Sequence, residues 1–182
     1  MAVRSAVEAD ADAIARVCVR ARRAGYRAFM RPDQLDGVPE AVRAELWQRR
    51  LRAGATRWFV LVSADPEVAG YGMVFAPSCD ADADARVAEL AALYVDPDAW
   101  GRGVGTALVT RALDGLRERR FSELTVWTLA DNARAVAFSR RLGFTPDGHR
   151  FDDPTTGLPT MRLRRPVAIR RWRQRLRRDS LV

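Results

Sequence analysis

The segment LYVDPDAWGRGVGTALVTRAL, residues 93–113, constrains the fold of this chain more than any other. An apolar run ends in Asp96-Pro97-Asp98, glycines follow at positions 101, 103 and 105, and an amphipathic run begins at once. Three glycines in one turn mark a backbone that must adopt φ > 0 or come close to something. The spacing predicts a helix over 103–119, and SELTVWTL at 122–129 reads as a strand. Strand, helix and strand at that spacing form a crossover unit, the connection that joins parallel neighbours in a sheet.

The rest of the chain supplies the partners of that unit. RWFVLVSA (57–64) and VAGYGMVFAP (68–77) flank the turn DPE and predict a hairpin. VAELAALYV (87–95) is the strand entering the glycine turn, and a period of two places Glu89, Ala91, Leu93 and Val95 on one face. Upstream, a short strand near 3–5 leads into a helix over 10–24, with Ile14, Val17, Cys18 and Ala21 on one side. The link YRAFMRPDQLDG reads as irregular, and a second helix over 39–53 opens with Pro39 and closes before Gly54. Asp131 or Asn132 caps a helix ending near Gly143, and FTPDGHRF and TMRLRR predict a last strand pair around a turn at Gly157. The order β-α-α-β-β-β-α-β-α-β-β describes one α/β domain without internal repeats.

Composition narrows the function. A chain of 182 residues with 48% hydrophobic content can bury a single core. No apolar run approaches the length of a membrane span, and MAVRSAVEADADA has no apolar leader, so a cytoplasmic location is expected. Cys18 and Cys79 are expected as buried, unpaired thiols, and with His149 the sole histidine no metal site is expected. The net charge of +8 is concentrated at the end: residues 164–182 carry eight arginines against Asp179, which leaves +1 for the body. The body is therefore not a basic nucleic-acid binder. The chain has no lysine, so no internal lysine can be acylated. Within the tail 166–182, Ile169, Trp172 and Leu176 recur at spacings of three and four among arginines, a basic amphipathic helix if it folds. Its partner would be the domain itself, a second copy in a homodimer, anionic membrane lipid or RNA.

A glycine turn opening a helix favours an anion, because free N–H groups and the helix dipole both point at it. The nucleoside-triphosphate loop is excluded, since it needs a lysine. The dinucleotide fingerprint fails as well, because Thr106 or Leu108 stands at its third glycine position. What the turn does match is more specific. Tyr94-Val95-Asp96-Pro97 followed by Trp100-Gly101-Arg102-Gly103-Val104-Gly105 forms one block, and Asn132-Ala133-Arg134-Ala135-Val136-Ala137-Phe138-Ser139-Arg140-Arg141-Leu142-Gly143-Phe144 forms another, one strand later. In these blocks the sequence resembles the GNAT superfamily of N-acetyltransferases, over about residues 2–165, with Trp100 standing where the family pattern has Gln or Arg.

The resemblance implies an α/β fold in residues 1–165: a mixed, mostly antiparallel central sheet with a splayed parallel pair, flanked by helices. It implies acetyl-CoA as co-substrate, with its pyrophosphate held by Gly101, Arg102, Gly103, Val104, Gly105 and Thr106. Backbone groups of Leu93, Tyr94 and Val95 would pair with the pantetheine arm, and Asn132 would hold the arm, cap the helix, or do both.

The implied chemistry is attack of an amine on a thioester. An acceptor with the pKa of a lysine amine loses about 4 kcal/mol in reactive fraction near neutral pH, which a general base restores. Some family members place a catalytic glutamate at the position of Glu89; the alternative is an ordinary strand-edge carboxylate. Others carry a glutamate on the next strand, where this chain has Trp127. The family tyrosine that protonates the departing thiolate is replaced by Ser139, a far poorer acid. Ser139 then acts through water, the thiolate leaves unassisted, or turnover is impaired. No cysteine lies in the motifs, so attack is direct, within a ternary complex. The acceptor is a primary amine of a small molecule or peptide. Tyr26, Phe29, Met30, Leu35 and Trp47 either wall its pocket or belong to the core, and Asp80, Asp82 and Asp84 either attract a cation or form a solvated loop. Two rival readings stand beside this one: an acyl-CoA-binding module with weak or no turnover, and an acetyltransferase recruited to RNA or membrane by its tail.

Overall fold

A computed structural model describes residues 2–54, 56–64, 66–154 and 156–167. The expectation of an arginine-rich helix falls outside the described residues from position 168 onward. The elements run β1 (Ala2–Ser5), α1 (Ala11–Tyr26), α2 (Pro32–Asp36), α3 (Glu40–Ala53), β2 (Trp58–Ala64), β3 (Val68–Phe75) and β4 (Val87–Val95). They continue with α4 (Val104–Glu118), β5 (Glu123–Leu129), α5 (Ala133–Arg141), β6 (Thr145–Asp152) and β7 (Pro159–Pro166). The expected order holds, with one addition. The link after α1 contains the short helix α2, which opens on Pro32, a residue suited to a first helical turn because its missing N–H costs nothing there.

The strands form one seven-stranded sheet in the order β1-β2-β3-β4-β5-β7-β6. Among the described residues only β4 and β5 are parallel, joined through α4 by the crossover that the sequence predicts. Their pairing is brief: Val87 faces Glu123, Ala88 faces Leu124, Glu89 faces Thr125, and the strands then diverge. β4 stays paired with β3 as far as Val95, and β5 stays paired with β7 along its whole length. The sheet thus opens into a V with Glu89 and Thr125 at its apex.

A bulge in β4 shapes this V. Val74 pairs with Leu90 while the preceding residue, Met73, pairs with Ala92, so Ala91 is the extra residue and is exposed. A bulge reverses the alternation of side chains beyond it. Ala88, Leu90, Leu93 and Val95 consequently pack on one face with Leu108, Leu113 and Leu116 of α4. Ala92 and Tyr94 pack on the other with α1 and α3, where Ile14, Val17 and Trp47 lie. Glu89 sits opposite Phe75, which belongs to the α1–α3 side. This corrects the expectation that Glu89 shares a face with Leu93 and Val95; the period of two does not survive the inserted residue.

Burial of Leu116, Leu124 and Leu163, all at 0% exposure, contributes about 1.5–3 kcal/mol each to holding α4 on the sheet. On the opposite face Trp47 meets Tyr71 edge-on at 5.4 Å. Cys18 is buried there as expected. Cys79 is not: β3 ends at Phe75, which leaves Cys79 exposed in the following loop, and both thiols are free.

Candidate active site

Between the arms of the V lies a cleft of about 720 Å³. One wall is Leu90–Val95 of β4, the other Val126, Trp127 and Thr128 of β5 with the start of α5. At the splayed end, beyond Val95, the cleft is lined by the glycine turn and the first turn of α4. Arg20 of α1 anchors the approach to this turn, its Nε at 2.8 Å from Asp96 and its Nη2 at 2.8 Å from Asp98. Gly101 and Gly103 adopt left-handed conformations (φ 76° and 83°), and Gly103 caps α4. Gly105 is glycine for a different reason: a Cβ there would stand 3.0 Å from Phe138 of α5. The first helical bond runs from Ala107 N–H to Gly103 C=O at 2.9 Å. The amides of Gly103, Val104, Gly105 and Thr106 precede it and have no helical acceptor. Donors aimed into a cleft at the positive end of a helix dipole are suited to a diphosphate.

The structure brings Leu93, Tyr94, Val95, Gly101, Gly103, Val104, Gly105, Thr106, Asn132 and Ser139 together around the cleft. It leaves two expected residues outside the lining: Arg102, exposed on the turn, and Glu89, one residue before Leu90. The Val95 carbonyl is already engaged, accepting the Trp100 indole N–H at 2.8 Å. Asn132 is buried and caps α5, its Oδ1 accepting the Ala135 N–H at 3.1 Å, which leaves the Nδ2 group for a ligand. Ser139 is buried at the cleft wall and makes no side-chain hydrogen bond among the described residues. Of the aromatic and apolar candidates from the end of α1 onward, Tyr26 and Phe29 line the cleft, while Leu35 and Trp47 are core.

Glu89 occupies the apex, half-buried. Its Oε2 accepts the Ser78 hydroxyl at 3.3 Å and the Cys79 N–H at 3.4 Å. Burial raises its pKa above the usual carboxylate range, and the charge of Asp80 raises it further. A carboxyl poised closer to neutrality is better matched to accepting a proton from an ammonium group.

The loop carrying Asp80 and Asp82 is held by a residue that sequence reasoning missed. Arg162 of β7 is 5% exposed and binds Asp82 in a bidentate fork at 2.7 Å on each arm. It also reaches Asp80 at 3.0 Å and Asp147 of β6 at 2.7 Å, and lies beside His149 Nδ1 at 2.9 Å. The Trp127 indole N–H donates to Asp80 at 3.0 Å. The loop is therefore docked against β5, β6 and β7 by an internal cation, so Asp80 and Asp82, the latter still exposed to water, are committed to Arg162 rather than open to a cationic acceptor. Hydrogen bonds from Arg162 hold the Asp82 pKa down at about 2. A sequence separation of about eighty residues hid this pairing.

No group of three or more His, Cys, Asp or Glu among the described residues is arranged to hold a metal, and no described helix is long and apolar enough to cross a membrane.

A mixed sheet splayed at the parallel pair β4–β5, with helix-start amides facing the opening, is an α/β arrangement suited to an extended, phosphate-bearing ligand. Residues 22–144 match the Acetyltransferase (GNAT) family, and the chain belongs to that family. It is 39% identical over 114 residues to a mycothiol acetyltransferase of Beutenbergia cavernae, a stretch covering 59% of this chain and 36% of that protein. The chain spans less than half the length of the curated relatives it matches. Among solved structures, the ribosomal-protein-alanine N-acetyltransferase of Brucella melitensis superposes with a TM-score of 0.69 at 25% identity, covering 91% of this chain and 99% of that one. The PaiA N-acetyltransferase of Thermoplasma acidophilum, solved in complex with coenzyme A, shares the fold with a TM-score of 0.70 at 16% identity, covering 88% of this chain and 96% of that one.

Proposed function

We propose that the protein is an acetyl-CoA-dependent N-acetyltransferase acting on a primary amine of a small molecule or peptide, by direct attack in a ternary complex. The observation that carries this reading is the set of free amides at the start of α4, opening into the cleft between β4 and β5. When bound, acetyl-CoA supplies a thioester as acyl donor. The residues present fit it: Gly101 and Gly103–Thr106 offer donors to the diphosphate, Arg102 adds a positive charge nearby, and the edge of β4 at Leu93, Tyr94 and Val95 offers its backbone groups to the arm, the Val95 carbonyl excepted because Trp100 holds it. The Asn132 Nδ2 group adds a donor on the facing wall.

Glu89 takes the proton that an ammonium acceptor must shed, directly or through water, and Ser78 and Cys79 orient its carboxylate. Ser139 either relays a proton through water to the departing thiolate or leaves that step unassisted. The names of the relatives put both a small molecule of mycothiol chemistry and a ribosomal-protein alanine in the acceptor panel. Titration calorimetry with acetyl-CoA tests the coenzyme site: wild type binds, and Gly103→Glu, which sets a carboxylate before the amides, loses most affinity while staying folded. Unchanged affinity in the variant removes the reading. Thiol release over an amine panel tests turnover, with Glu89→Gln expected to lower the rate about 10²-fold near neutral pH.

A second reading, an acyl-CoA-binding module with little turnover, is favoured by the Ser139 hydroxyl, which lacks both the acidity and the reach of a phenol. Tight acetyl-CoA binding with no thiol release from any amine selects it, and Ser139→Tyr then restores turnover if the missing acid is the cause.

A further inference from the structure

Trp100 and Arg134 meet at the mouth of the cleft. Trp100 ends the connection between β4 and the glycine turn, and its indole is fixed by the 2.8 Å hydrogen bond to the Val95 carbonyl. Arg134 lies in the first turn of α5, on the other side of the opening, with its guanidinium carbon 3.4 Å from the centre of the Trp100 ring. Both residues line the cleft with the glycine turn.

Two observations about Arg134 are independent of the stacking. It is exposed at the rim of the cleft and forms no ion pair and no hydrogen bond among the described residues, and the little burial it has lowers its pKa. It also stands in the first turn of α5, where the helix dipole disfavours a positive charge. A cation without a counterion, set at the positive end of a helix and beside a second helix N-terminus, concentrates positive potential on one small volume. The stack engages the face of the guanidinium and leaves the N–H donors at its edge free, in the fork geometry that matches a phosphate.

We propose that Arg134, held by Trp100, is a phosphate-binding side chain of the coenzyme site, acting from the α5 side of the cleft while the α4 amides act from the other. The assignment rests on the coenzyme reading above. Trp100 is a positioning residue: it replaces the polar side chain of the family pattern with a π face that carries the cation in from α5. The clamp makes the donor's phosphates, rather than its acyl arm alone, a condition of tight binding.

Titration calorimetry of acetyl-CoA and 3′-dephospho-acetyl-CoA against wild type, Arg134→Gln, Arg134→Lys and Trp100→Leu tests this. Arg134→Gln should weaken acetyl-CoA binding about 10–100-fold, the scale of a charge-assisted hydrogen bond. Arg134→Lys should recover part of the loss, as a point charge without the fork, and Trp100→Leu should lose about 3–10-fold, an order-of-magnitude share for the lost stacking. If the 3′-phosphate is the one held, wild type binds the dephospho donor as weakly as Arg134→Gln binds acetyl-CoA, and the substitution costs nothing further. If the diphosphate is held, the substitution costs the same factor on both donors. Either pattern supports the clamp. Wild-type affinity of Arg134→Gln for both donors overturns it alone. A wild-type protein that binds neither donor overturns the coenzyme reading and the clamp with it.

Discussion

At the scale of single residues, the three glycines of one short turn serve two purposes. Gly101 and Gly103 supply left-handed backbone with open space around them, whereas Gly105 makes room for Phe138. Gly103→Ala should therefore cost about 1–2 kcal/mol of backbone strain without a clash, read as a lowered denaturation midpoint with α4 and α5 still packed together. Glu89 likewise owes its character to neighbours. Burial raises its pKa first and the charge of Asp80 second, so the acid limb of the pH–rate profile should lie above the range of an ordinary glutamate. Asp80→Asn keeps an acceptor for the Trp127 indole and removes the charge, so the Glu89 pKa should fall and the acid limb should move to lower pH. A profile that stays where it was in Asp80→Asn would exclude Glu89 as the titrating base.

At the scale of elements, what sequence reasoning reached and what it missed divide along physical lines. Strand 87–95, the glycine turn, the crossover helix and the Asn132 cap follow from local rules: alternation, capping and positive-φ glycines. The parallel pairing of β4 and β5 follows from the crossover. The bulge at Ala91 does not, because apart from Glu89 VAELAALYV is apolar throughout and its alternation shows no break. That single inserted residue decides that Glu89 lies with Phe75, on the α1–α3 side, and not with Leu93. Helix α2 was missed because five residues carry too little periodicity to register. The anchoring of the turn by Arg20 and of the acidic loop by Arg162 joins residues far apart in the chain, and one arginine among thirty-one carries no mark of its partner. The seam between α4 and α5 gives a test at this scale. Gly105→Leu forces Phe138 away and with it the wall that carries Asn132 and Ser139. Coenzyme affinity should therefore fall by more than it does for Gly103→Ala, measured side by side by calorimetry on folded variants.

At the scale of the whole molecule, the sheet is two halves held at a short parallel contact, and the half carrying β5, β7 and β6 needs its own tie to the loop after β3. Arg162 provides that tie, through Asp80 and Asp82 on the loop and Asp147 on β6. Removing one partner of such a cluster is costly because the others keep their charge without its counterion. Arg162→Leu should destabilise the fold at neutral pH by about 3 kcal/mol, the low end for breaking a buried ion pair, since water reaches Asp82. The pH dependence has a defined sign. Hydrogen bonds from Arg162 depress the Asp82 pKa from 3.8 to about 2. Burial pushes the Asp147 carboxyl the other way, but hydrogen bonds from the His149 N–H and from Arg162 outweigh it and hold its pKa down. Groups depressed by folding contribute stability that is complete above their unfolded value near 3.8 and is lost as pH falls through about 2. In Arg162→Leu the same carboxylates repel one another, and protonation relieves them. Wild type should thus lose stability on acidification below about pH 4 while the variant loses less, so that their urea midpoints, well separated at neutral pH, converge toward the ordinary carboxylate range. Midpoints that stay equally far apart down to pH 3 would show that the arginine stabilises by packing along β7 rather than by charge.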